Sequence, residues 1–406
     1  MKRTGEEKQF DFLAPLHSVN MPELVSGEGV AYYSTDGKKY IDMNEMRVVL
    51  GQRNKEFEKV MSTALRGITA PKDGKTEVKQ KLYHYLDTTT GGLFAAAHLT
   101  SSGSESVEAA VRLAKKLTGR TEIISFWNSI HGRTFLSGSL SGVPKRKVGY
   151  GALAPGGVFF PYPDCSMCPL AKNNRECGMV CLDYMNRIYE STSSQDVAAV
   201  LVEPYQGNGI VMPPKGFLKK LQEWARSKGM LFILDEIQSG MGRTGNMYCF
   251  QREGLEPDIL LLGKALGNGV HISAMLVKEL PEKEDLCVFS GGSGDDVLSC
   301  TAACEVFRQL ENGLLEQIRY VGGILCQGLK KLENNSLIRQ CRGEGLAAAV
   351  TFYEEQVCNE VCNKMQEHGY LVGHNQKVLF CKPPYVITDE QIIGFLNTLE
   401  EVLNQL

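Results

Sequence analysis

Residues 231–245 read LFILDEIQSGMGRTG, and residues 257–269 read PDILLLGKALGNG. In the first stretch an apolar run ends in Asp235, as a buried strand ends in a carboxylate at the edge of a sheet. In the second, another apolar run ends in a single lysine, Lys264, set among glycines. A carboxylate and a lysine at the carboxyl ends of two strands are what pyridoxal phosphate (PLP) requires. The lysine forms a Schiff base with the cofactor aldehyde, and the carboxylate keeps the pyridine nitrogen protonated so that the ring accepts electrons. Taken alone, the pair reads equally well as a core-edge aspartate and a loop lysine of any α/β enzyme.

Working outward, residues 123–126, 198–203 and 259–262 read as further short buried strands, with helical segments such as 215–227 between several of them. That alternation predicts a mostly parallel sheet wrapped by helices. Residues 104–117, SESVEAAVRLAKKL, place Val107, Ala110, Val111 and Ala114 at helical spacing and predict an amphipathic helix. Residues 28–42 read as a hairpin around the turn pair Asp36-Gly37. After about residue 300 the pattern changes to a long helix over 301–319 and beyond, strands near 347–352 and 377–381, and a last helix over 389–403. The organisation expected is an N-terminal part of a small domain (1–50), a large cofactor domain (51–300) and a C-terminal small domain (301–406).

Composition bounds the function. The 406 residues are 43% hydrophobic and 22% charged, ordinary values for a globular enzyme of two or three domains. A formal charge of −3 offers no electrostatic attraction to nucleic acid or an anionic membrane. The first residues, MKRTGEEKQFDF, lack the apolar core of a secretory signal, and no apolar run is long enough for a bilayer. Thirteen cysteines in such a chain predict reduced thiols in a cytoplasmic protein. Four of them, Cys165, Cys168, Cys177 and Cys181, fall within seventeen residues. Their spacing suits a tetrahedral zinc or iron–sulfur site, and equally a loop of unliganded thiols, which is the simpler expectation.

The string SSGSE at 101–105 opens the amphipathic helix. Gly103 and Ser104 sit where free N–H groups suit a phosphate, while Ser102 or Ser104 also suits a plain helix cap. With the next string, FWNSIHGRT at 126–134, the chain resembles the class III PLP-dependent aminotransferases, such as the ornithine, acetylornithine and 4-aminobutyrate aminotransferases. Five strings carry the resemblance: SGSESVEAAVRLA at 102–114, HGRT at 131–134, EPYQG at 203–207, LDEIQSGMGRTG at 234–245 and GKALGNG at 263–269.

The resemblance implies fold type I: a large domain around a mostly parallel seven-stranded sheet, and a smaller α+β domain from both chain ends. It implies a homodimer with shared active sites and transfer of an amino group from an amine or amino acid to a keto acid by ping-pong kinetics. Residue by residue it implies Lys264 for the Schiff base and Asp235 for the ring nitrogen. Gln238 falls to the phenolic oxygen and Ile237 to one ring face. Gly103 and Ser104 fall to the phosphate, with Ile130, His131 and Glu203 near the cofactor. Arg133 falls where donors with a distal carboxylate are clamped.

Three departures stand out. Ile130 replaces an aromatic stacked on the ring. Asn208 replaces a glutamate, and Phe380, with Leu379 beside it, replaces the arginine that glutamate neutralises; Lys382 is a candidate to take that arginine's place. The partner-subunit segment that supplies a phosphate-binding threonine reads SGGSGDD at 290–296, offering Ser290 or Ser293. An amino-acid racemase or epimerase of the same fold is the alternative reading, because it needs no keto-acid switch.

Overall fold

The computed structural model describes residues 22–68, 75–168, 170, 177–282, 289 and 294–406. Its centre is a seven-stranded sheet. The strands are β4 (Ala96–Thr100), β5 (Glu122–Phe126), β6 (Gly157–Phe160), β7 (Val197–Val202), β8 (Leu231–Asp235), β9 (Ile259–Leu262) and β10 (Ser273–Val277). Their order across the sheet is β4-β10-β9-β8-β7-β5-β6. Only β10 runs against its neighbours. The sheet is therefore mostly parallel, as the sequence predicted. Every residue of β7 and β9 is buried, which is what helices on both faces require of a central strand.

A second sheet holds β1 (Leu24–Glu28), β2 (Ala31–Ser34), β3 (Lys39–Asp42) and β13 (Tyr370–Leu371); β2 and β3 form the hairpin expected around Asp36-Gly37. β13 pairs parallel with β3, joining the two ends of the chain. A third sheet orders β11 (Ile338–Glu344), β12 (Ala347–Phe352), β15 (Val378–Cys381) and β14 (Gly373–Asn375).

The helix Gly103–Thr118 is bounded as the sequence suggests. Ser102 caps it by accepting from the Glu105 N–H, and Gly119 closes it at φ +68°. The C-terminal helix expected over 301–319 is in fact two, Val297–Gln309 and Leu315–Leu332, because Gly313 turns left-handed at φ +99° between them. Among the described residues no helix is long and apolar enough to cross a membrane.

Candidate active site

Register places the functional side chains. Val202 of β7 pairs with Leu234 of β8, so Glu203 and Asp235 leave adjacent strands at the same level. Asp235 in turn pairs with Leu261 of β9, three residues before Lys264. Because β4 and β9 both run against β10, the start of the Gly103–Thr118 helix opens at the same edge. The turn carrying Lys264 is tight: the lysine backbone is left-handed at φ +44°. A non-glycine residue there stores about 1–3 kcal/mol, a strain typical of functional sites. Asn268 fixes the turn to the N-terminal segment by accepting the Leu50 N–H at 2.8 Å.

Asp235 is 4% exposed, and each of its carboxylate oxygens has one partner in the protein. Its Oδ1 accepts the Ile237 N–H at 3.1 Å, and its Oδ2 lies 2.8 Å from His131 Nδ1. His131 Nε2 is buried with no hydrogen-bond partner among the described residues. Glu203 accepts the Gly207 and Ile130 N–H groups at 3.0 and 3.2 Å. Burial, only partly opposed by His131, pushes its carboxyl up to about 7, and Asp235 adds to the rise. Lys264 is half-buried. Burial lowers its amine, against the pull of Asp235 and Glu203, while Arg243 and Arg133 lower it further.

Ile237 wedges between two glycines. A Cβ on Gly103 would lie 2.9 Å from its Cδ1, and one on Gly263 would lie 3.2 Å from its Cγ2. Gly207 likewise leaves room for the Gln238 amide, whose Nε2 is buried without an acceptor among the described residues. Ser104 Oγ accepts the Arg133 N–H at 3.0 Å, joining the helix start to the loop of His131. Ile130 is half-buried beside them, and Arg133 itself is exposed.

The structure thus brings together Gly103, Ser104, Ile130, His131, Arg133, Glu203, Asp235, Ile237, Gln238 and Lys264. Ser290 and Ser293 lie outside the described residues. Phe380 packs with Tyr205, Ile210, Ala347 and Ala349. Asn375 donates to Asn208 Oδ1 at 2.8 Å, a neutral pair.

Sequence reasoning did not single out Arg243. Its buried guanidinium donates to the carbonyls of Leu346, Pro383 and Glu45 and lies over the Tyr385 ring, tying the large sheet to the C-terminal segment. The signal was present in GMGRTG, where glycines flank a lone cation.

The four clustered cysteines are half-buried. Burial pushes the Cys165 thiol up, with Cys177 and Cys168 adding to it, and Cys181 rises to about 11. Among the described residues no set of three or more His, Cys, Asp or Glu side chains is placed to hold a metal ion.

A strand-edge lysine, a histidine-braced aspartate and a glycine-opened helix start meet at one edge of the seven-stranded sheet. The class-III aminotransferase family model matches residues 16–403. The acetylornithine aminotransferase of Corynebacterium efficiens is 30% identical over 403 residues, spanning 95% of this chain and 93% of that protein. The acetylornithine aminotransferase of Aquifex aeolicus is 32% identical over 400 residues, spanning 94% and 96%. An amine transaminase from an uncultivated Pseudomonas species, solved in its PLP-bound form, superposes with a TM-score of 0.89 at 21% identity, covering 99% of this chain and 100% of that one.

The chain belongs to the class-III aminotransferases. It is a PLP-dependent aminotransferase, and its residues fit that cofactor. The buried Gln238 amide has a donor left over for a cofactor oxygen, and Gly103 and Gly263 leave room for Ile237 between them.

Proposed function

We propose that this aminotransferase takes its amino group from donors that include ω-amines with a distal carboxylate. It passes the group to a keto acid in two alternating half-reactions, with Lys264 as the base. One observation carries the assignment: Lys264, Asp235 and Glu203 leave three neighbouring strands at one edge, with the lysine amine held below its ordinary pKa.

When bound, PLP supplies an aldehyde that holds the substrate nitrogen and a ring that accepts electrons. Lys264 Nζ, neutral more often than an exposed lysine, takes the proton from the carbon bearing that nitrogen. Asp235 keeps a proton on the ring nitrogen, and His131 and the Ile237 N–H hold its carboxylate in place. Glu203, raised to about 7, is only partly ionised at pH 7 and so adds less competing negative charge than an ordinary carboxylate. The first N–H groups of the Gly103–Thr118 helix, with Ser104 Oγ, receive the phosphate. In this reading residues 51–300 form the cofactor domain, and residues 1–50 and 301–406 form the small domain. Two copies share their active sites, in a cytoplasmic enzyme.

Arg133 is the donor-side clamp. Its guanidinium is exposed yet acts electrostatically on Lys264, and a planar fork suits a carboxylate. Arg133→Ala is expected to raise KM for ω-amino carboxylates about tenfold, the value of a charged hydrogen bond, and to change KM for plain amines less than about twofold. Steady-state kinetics on both donor types checks it; equal changes remove the assignment.

A further inference from the structure

The segment that lacks an arginine at 380 carries a cation just beyond the end of its strand, at Lys382. Lys382 is 3% exposed. Its Nζ stands 4.0 Å over the Phe380 ring, and its backbone N–H is spent on the Met43 carbonyl at 2.6 Å. Among the described residues no carboxylate or carbonyl accepts from this ammonium. Burial lowers its amine to about 7, and the groups acting on it are Lys264 and Arg243, both cationic, and the Cys381 thiol.

Arg243 cannot serve as an anion site in its place, because its guanidinium is already engaged by three backbone carbonyls and the Tyr385 ring. A buried amine with no anionic partner gives up its proton readily, and an anion arriving from outside holds it charged. The cofactor phosphate is received elsewhere, at the start of the Gly103–Thr118 helix. The donor's distal carboxylate is assigned to Arg133, which leaves the carboxylate of the keto acid as the anion for this amine.

We propose that Lys382 binds the carboxylate of the keto-acid acceptor, its ammonium donating to the carboxylate oxygens while the Phe380 ring walls the pocket. The strand ends at Cys381, and Lys382 turns its ammonium back over the Phe380 ring. Phe380 fills the arginine's volume with an apolar ring that itself stabilises the ammonium. A point-charge lysine fixes the carboxylate less rigidly than a planar guanidinium does, so the acceptor range is broad in chain length. This rests on Lys264 being the reacting lysine.

The test uses the PLP-loaded enzyme and its Lys382→Met, Lys382→Gln and Lys382→Arg variants. Propionate, an unreactive carboxylate, is titrated by calorimetry, and KM and kcat for pyruvate are measured with a fixed amine donor. Lys382→Met and Lys382→Gln are expected to weaken propionate binding and raise the pyruvate KM roughly 30-fold or more, the cost of removing one partner of a buried charge pair. kcat should change less than about threefold, because the interaction is made equally before and during the chemical step. Lys382→Arg is expected to retain most of the binding. Unchanged propionate affinity, absence of propionate binding to the parent enzyme, or a loss confined to kcat overturns the proposal. So does a tenfold loss of PLP affinity in Lys382→Met, which would place the lysine on the phosphate instead. If the assignment of Lys264 is at fault, the cofactor absorbance of the unaltered enzyme is not bound to residue 264 at all, which peptide mapping separates from failure at Lys382.

Discussion

Replacing Lys264 with alanine is expected to lower the rate of transamination by about 10⁴-fold or more, since one side chain is both the cofactor's covalent attachment and the base. The alanine variant should fold as the parent does. The turn at 264 is held by backbone contacts, the Leu266 N–H on the Gly263 carbonyl and Asn268 on the Leu50 N–H, rather than by the lysine side chain. Small primary amines added to the variant should restore part of the proton transfer. The measurement is single-turnover absorbance with an amine donor. Activity above about 1% of the parent without added amine contradicts the role, because a positioned base alone contributes about 10²–10⁴-fold.

The second large effect is expected at Asp235. Asp235→Asn keeps the shape and still accepts from the Ile237 N–H, but it removes the charge that holds a proton on the ring nitrogen. The expected loss in kcat is about 10³-fold, comparable to removing a preorganised electrostatic group in a buried site. PLP affinity should fall far less, since the phosphate contacts lie on another element. Steady-state kinetics beside a cofactor titration checks both; a kcat within tenfold of the parent contradicts the role. Residue 131 refines the test. His131 Nδ1 at 2.8 Å orients the carboxylate, so His131→Ala should give a smaller loss in kcat than Asp235→Asn.

Much of this site was legible in the sequence because of how parallel sheets are built. Strands buried on both faces are unbroken apolar runs, and the first polar residue after each run must lie at the carboxyl edge. The predicted strands at 231–235 and 259–262 coincide with β8 and β9. The expectation for 198–203 overshoots by one at Glu203, which leaves the strand to face the site. The helix expected from 215 begins instead at Phe217, since Gly216 takes φ +82° and cannot sit inside it.

Other elements were hidden for equally physical reasons. β4 is half-exposed over most of its length and shows no apolar run. The antiparallel placement of β10 between β4 and β9 depends on a long-range pairing that no local pattern encodes. The helical periodicity continued through 312–313, so the kink was missed although Asn312-Gly313 is a turn pair. The absence of an arginine at 380 could be counted from Pro383. The burial of Lys382, and its exposure to Lys264 and Arg243, required three segments to be folded together.

The central claim is the identity of the lysine that holds the cofactor. Two lysines of this site, the half-buried Lys264 and the buried Lys382, have amines below the ordinary range, so chemistry can choose between them. Borohydride reduction of the PLP-loaded enzyme, followed by proteolysis and mass spectrometry, reads the choice directly. The account predicts a pyridoxyl group on the peptide containing Lys264 and none on the peptide containing Lys382. A label on Lys382, or on any lysine other than Lys264, contradicts it.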